Sequence, residues 1–247
     1  MIKGIHTAGT SLVPMMTRLE VIANNLANMN TTGFKRDSVF MKLVKDAAVA
    51  QAQGKSEPAE AQVQRVTDFS AGTLIPTNNP LDVAIQGRGF FVVDTPGGPR
   101  FTRNGNFGLT VDGTLVTSQG DPVLGMNGRI QIPDLQDMTQ GKLVISESGE
   151  VLADNKPVAR LRVVDFLDLT RLRKENESLF AAPPQIPPAD IHEDSTRVRQ
   201  GYLEGSNVEG LEEMIAMIEL TRTFESNQKV MQAQDATLDK TNDVGRF

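Results

Sequence analysis

The 247 residues are 39% hydrophobic and 23% charged, enough for one large domain or two modest ones with a buried core, and not the composition of a disordered chain. A net charge of −6 argues against a nucleic-acid binder, whose footprint would be a basic face, and against attraction to an anionic membrane. The absence of cysteine removes disulfides, thiolate nucleophiles and Cys-ligated metals, and an aromatic content of 5% with no Trp offers no platform for bases or sugars.

No apolar run approaches the ~18 residues of a membrane helix, so no membrane insertion is expected. MIKGIHTAGTSLVPMM lacks the continuous apolar core of a cleavable signal, so export would have to proceed without ordinary signal cleavage.

The first element reads as a helix of heptad type. Leu12, Met15, Leu19, Ile22, Leu26 and Met29 alternate at spacings of three and four, which draws one narrow apolar seam suited to packing against another helix. Pro14 implies either a kink or a regular helix that begins near Ser11. Asn24, Asn25 and Asn28 crowd the end of this helix, although asparagine is a poor helix-interior residue. On the flanks of the seam their amides would bond neighbouring backbones and fix register. Asn30 and Gly33 would then end the helix and turn the chain outward.

Residues 34–80 read as an extended connector, in which FKRDSVFMKLVKDAAVAQAQ carries a strand or a short helix and GKSEPAEAQ a polar loop. From 81 to 196, short β-prone runs alternate with turns, and the whole reads as an antiparallel β domain. Gly97-Gly98, Asn104-Gly105, Asp112-Gly113, Asn127-Gly128 and Ser148-Gly149 supply the positive φ that tight hairpins need. APPQIPPAD is a proline-rich connector or edge segment, and 197–205 a return connector. Residues 206–247 form a second helix, with Ser206 or Asn207 as cap and Glu209, Glu212 and Glu213 loading its first turns. Leu211, Met214, Met217, Ile218, Leu220, Phe224, Met231 and Leu238 make its apolar stripe. The fold class is mixed α and β: a middle antiparallel β domain, and N- and C-terminal helices (1–33 and 206–247) that pack on each other and on further copies as a coiled-coil core. The stripes of both helices form the expected assembly interface.

No catalytic constellation stands out, and no cofactor or metal is expected. His192 in ADIHEDS sits among acidic residues, but a solvated acidic loop explains it. QGRGFF has two glycines without the strand–GxGxxG–helix setting of a nucleotide site, and reads as a tight turn into a strand.

Three blocks in order, ANNLANMNTTGFKR, PLDVAIQGRGFFVV with RFTRNGNFGLTVDGTLVTSQGDPVLG, and GYLEGSNVEGLEEMIAMIELTRTFESNQKVMQAQD, cover well over half the chain. Together they resemble the signatures of the flagellar rod and hook proteins, the axial subunits of the bacterial flagellum. The resemblance implies terminal helices that form the inner core of a helical tube, with the β domain outside. It implies export through the flagellar type III apparatus without signal cleavage, and a periplasmic rod that transmits motor torque to the hook. Partners would be copies of the chain itself and other rod proteins, proximal and distal. The ending DKTNDVGRF, the LEGSNV block and the short segment between Phe40 and Asp68 are most similar to the proximal rod type. A distal rod protein is the nearest alternative. An envelope enzyme that cuts peptidoglycan, or a binding module built on the β domain, are alternatives from other classes.

Overall fold

The heptad spacing at the N-terminus builds a long helix. In the computed structural model, described over residues 2–44, 60–132, 143–190 and 196–244, α1 spans Ile2–Ala27 with Pro14 inside it. The regular helix thus begins well before the Ser11 start considered from the sequence. Proline inside a helix removes one backbone bond at a cost of ~3 kcal/mol, which the rest of this helix must offset. Thr17 Oγ1 donates to Val13 O at 3.1 Å alongside it. The second helix, α2, spans Gly210–Val244 and starts a few residues later than expected, with Glu212 and Glu213 in its first turn.

The chain divides into two units. One comprises residues 1–27, 37–68 and 208–247. Here α1 packs along α2, and α1 also packs on an antiparallel hairpin of β1 (Asp37–Val44) and β2 (Glu60–Thr67). Residues 34–80, expected as an extended connector carrying a strand or a short helix, therefore hold a two-stranded hairpin. VFMKLV is rich in β-branched and apolar residues, and its pairing with β2 satisfies backbone groups that a lone connector would leave to water.

The second unit, 28–36 with 69–207, is β-rich. Its strands in chain order are β3 (Leu74–Pro76), β4 (Val83–Gly87), β5 (Phe90–Thr95), β6 (Gly98–Thr102), β7 (Phe107–Leu109), β8 (Leu115–Thr117), β9 (Leu124–Gly125) and β10 (Gly128–Arg129). There follow β11 (Leu143–Ile145), β12 (Glu150–Ala153), β13 (Lys156–Arg160), β14 (Val163–Asp165), β15 (Arg173–Lys174), β16 (Leu179–Ala181), β17 (Ala189–Asp190), β18 (Thr196–Gln200) and β19 (Tyr202–Glu204). Every named pairing is antiparallel. The largest sheet has the order β15-β16-β6-β5-β14-β17, and the proline-rich segment ends as its edge strand β17. Residues 197–205, expected as a return connector, instead form β18 and β19, which pair with β4 and β3. The alternation Arg197-Val198-Arg199 is the reason: Val198 is buried while Arg197 faces water.

The run Phe90-Phe91-Val92-Val93 in β5 is buried throughout because the strand has a core on each face. Phe91 and Val93 join one cluster with Val83, Ile85, Leu115 and Val123. Phe90 and Val92 join another with Phe101, Phe166 and Phe180. Phe69, from the segment entering this unit, packs 5.1 Å from the Phe180 ring and 5.6 Å from the Phe90 ring.

Candidate assembly interface

On α2, Glu213, Met217, Leu220, Phe224, Asn227 and Met231 follow a 4-3-4-3-4 rhythm, and all are buried or half-buried. This is the seam that the chain covers itself. Asn227 Nδ2 contacts Met15 Sδ of α1 at 3.5 Å, which fixes one point of contact between the helices. A second stripe is not covered. Leu211 is 72% exposed, Met214 45%, Ile215 50% and Ile218 53%. These four sit at i, i+3, i+4 and i+7, one face over two turns. Together they form a contiguous apolar face that the described chain leaves uncovered, a candidate contact surface.

The residues expected at the interface are thus divided. Leu211, Met214 and Ile218 stand in solvent, whereas Met217, Phe224 and Met231 line the intrachain seam. Ile215 was missed, although its spacing from Leu211 and Ile218 places it on their face. On α1, Ile22 is buried and Met15 and Leu26 are half-buried, while Leu19 and Met29 are exposed. The buried face is rotated toward Val21 and Asn25, and Val13 and Met16 are left 64% and 55% exposed. The side chains of Leu12 and Leu238 lie outside the described residues, as does His192.

Asn25 is the informative asparagine. Its Nδ2 donates to Asp37 O at 2.8 Å, and its Oδ1 accepts from Asp37 N at 3.0 Å. One side chain thereby satisfies both backbone groups at the root of the hairpin, as a neighbouring strand would. The amide expected to register a neighbouring subunit registers this chain's own hairpin on its own helix. Asn24 is exposed on the other side. Asn28 is buried and its Oδ1 accepts from Thr31 Oγ1 at 3.1 Å. Asn30 lies in the exposed turn beyond the helix.

Past the helix the chain is locked into the β-rich unit. Gly33 takes φ +69° and donates its N–H to Glu204 O at 2.7 Å. A Cβ there would lie 2.3 Å from Asn104 N, so only glycine fits. Two residues on, Lys35 is fully buried and its Nζ donates to Glu204 Oε1 and to Ser70 O, both at 2.6 Å. Glu204 Oε1 also accepts from Gly72 N at 3.0 Å, and Oε2 accepts from Arg103 Nη1 at 3.1 Å. Burial pushes the Arg103 guanidinium below its ordinary range, and Glu204 opposes that shift. Asn207 accepts from Arg36 N at 2.7 Å and donates to Ser70 Oγ at 3.0 Å, so this expected helix cap ties two other segments together. The TTGFKR and LEGSN stretches, far apart in sequence, meet here. A buried lysine leaves no sequence signal, because lysine is ordinarily a surface residue.

Three family models match in chain order. They are "Flagella basal body rod protein" over residues 15–35, "Flagellar hook protein FlgE/F/G D1 domain" over 84–153 and "Flagellar basal body rod FlgEFG protein C-terminal" over 199–244. Among curated proteins, the chain is 33% identical over 240 residues to the flagellar basal-body rod protein FlgF of Rhizobium meliloti, covering 96% of this chain and 95% of that protein. It is 36% identical over 222 residues to FlgF of Caulobacter vibrioides, with 86% and 85% covered. To the flagellar basal-body rod protein FlgG of Bacillus subtilis it is 32% identical over 269 aligned positions, with 100% of both covered. The helix–β–helix chain, its sewn-together ends and these full-length likenesses lead to one conclusion: the protein belongs to the flagellar basal-body rod family.

Proposed function

We propose that this chain is built into the flagellar rod by burying the Leu211–Ile218 stripe of α2, and the exposed Val13 and Met16 of α1, against the helices of neighbouring subunits. As a member of the rod family the protein is a structural subunit of the basal body and not an enzyme. The peptidoglycan-cutting and free-standing binding-module readings are therefore set aside. The observation that carries the assembly mode is the second apolar stripe, which remains exposed after α1 and α2 have packed together. The terminal helices would then complete a coiled-coil core with other copies and with other rod proteins. Contacts that repeat head to tail without closing generate a filament rather than a ring. Such a polymer carries torque from motor to hook through its packed helices.

The proximal rod subtype is favoured by the short segment between Phe40 and Asp68 and by the LEGSNV block; a distal rod protein is the alternative. Export through the flagellar type III apparatus without cleavage, and residence in the periplasm, complete the proposal. Their support is the match to the flagellar basal-body rod family. The test is the double substitution Ile215→Glu with Ile218→Glu. Both residues are at least half-exposed, so stability should change by no more than about 0.5 kcal/mol each. Co-purification with rod components and motility should nevertheless be lost. Normal rods from the double variant would refute the assembly mode.

A further inference from the structure

The chain has no cysteine and no tryptophan, so mild two-electron oxidants find their readiest targets in its methionine thioethers. Reactivity follows exposure, and the fold divides the methionines on that basis. Among those with described side chains, Met15, Met217 and Met231 are half-buried, and Met15 Sδ accepts from Asn227 Nδ2 at 3.5 Å. Met16, Met29, Met126 and Met214 are exposed. Met29 lies in the turn beyond α1, and Met126 in the turn between β9 and β10. Met16 and Met214 differ from these two, because each sits in an uncovered apolar face. Met16 stands beside Val13 on α1, and Met214 among Leu211, Ile215 and Ile218 on α2.

The aliphatic neighbours are inert to peroxide, so Met16 and Met214 are the oxidisable side chains of these two faces. An unbranched thioether packs against several slightly different neighbours, which suits a face that meets more than one subunit. Its sulfoxide is polar and chiral and no longer fits that use. In water the new S=O group is solvated; against an apolar neighbour it is an acceptor without a donor. An unsatisfied acceptor of this kind weakens a contact by roughly tenfold or more. The free chain bears no such penalty, since both side chains stand in solvent before assembly.

We propose that Met16 and Met214 are oxidation sites that switch the assembly faces off, an inference that rests on the assembly mode proposed above. The oxidant is hydrogen peroxide. The thioether sulfur gives up two electrons, the O–O bond breaks as the S=O bond forms, and the second oxygen leaves as water. A sulfoxide reductase reverses the step: two thiols become a disulfide and the oxygen leaves as water. The test treats the full chain with peroxide, maps the sites by peptide mass, and measures capture of the chain by immobilised rod proteins of the same basal body. Met16 and Met214 should oxidise ahead of Met217 and Met231. The oxidised chain should be captured about tenfold less well, and the reductase should restore it. Met16→Leu with Met214→Leu, which leaves Met29 and Met126 oxidisable, should be captured equally before and after peroxide. Met214→Gln places a polar side chain of similar length on the face without any oxidant. It should keep its melting temperature and lose capture. Undiminished capture of the oxidised chain or of Met214→Gln overturns the proposal, as does an equal loss in the double leucine variant. If Ile215→Glu with Ile218→Glu abolishes capture while the oxidised chain is captured fully, the oxidation inference fails alone. Full capture of both overturns the assembly mode as well.

Discussion

Replacing Lys35 with methionine keeps the length of the side chain and deletes its charge. Lys35 is fully buried, and its Nζ reaches Glu204 Oε1 and Ser70 O at 2.6 Å each. In Lys35→Met, Glu204 remains buried with Arg103 and the Gly72 N–H as its remaining partners. Removing one member of a buried ion pair costs about 3–5 kcal/mol, because the other charge stays desolvated. Arg103 still compensates part of that charge, which places the expectation at the lower end, about 3 kcal/mol. For a chain of this size each kcal/mol shifts Tm by about 2–4 °C, so a fall of about 6–12 °C is expected. With no Trp and a single tyrosine, Tyr202, intrinsic fluorescence reports the β-rich unit selectively. Thermal melts followed by Tyr202 emission, with calorimetry of the full chain alongside, measure the loss. A decrease below about 1 kcal/mol would show that Glu204 does not depend on Lys35, and the buried-charge reasoning would fail.

Other substitutions probe the same framework. Gly33→Ala forces a non-glycine residue to φ +69° against the Asn104 backbone, and should cost more than the roughly 1–2 kcal/mol of the left-handed conformation alone, as measured by chemical denaturation. Asn25→Ala leaves the N–H and C=O of Asp37 without their side-chain partner. It should destabilise the chain by about 1–3 kcal/mol and speed amide exchange of the Asp37 N–H. Ile215→Glu with Ile218→Glu should preserve the melting temperature and abolish incorporation into rods.

The turns were the most legible part of the β-rich unit. Gly98, Gly113, Gly128 and Gly149 all take the positive φ expected from their dipeptides. Gly105 does not: it is glycine because a Cβ would lie 1.6 Å from Val83 O, a long-range approach that no local pattern encodes. The left-handed pair Asp154 and Asn155, which turns β12 into β13, was overlooked because the turn contains no glycine. VARLRVVDF, one unbroken β-prone run in the sequence, is split between β13 and β14, which belong to different sheets. Alternation marks a strand but not where its partner changes. The heptad rhythm of α2 was legible, but its two stripes could not be separated by sequence. Periodicity shows that a face is apolar, and only the packing of α1 reveals which face the chain covers itself. The Lys35–Glu204–Arg103 cluster was invisible for a related reason: its members lie 68 and 101 residues apart in sequence, and each would be taken alone as a surface charge.

A density map of the intact basal body in which this chain is traced tests whether α2 turns one apolar face to α1 and the other to neighbouring subunits. Leu211, Met214, Ile215 and Ile218 should be buried there against helices of adjacent rod subunits. A map in which the chain sits in the rod with that stripe facing solvent, and is joined to its neighbours by the β-rich unit alone, would contradict it.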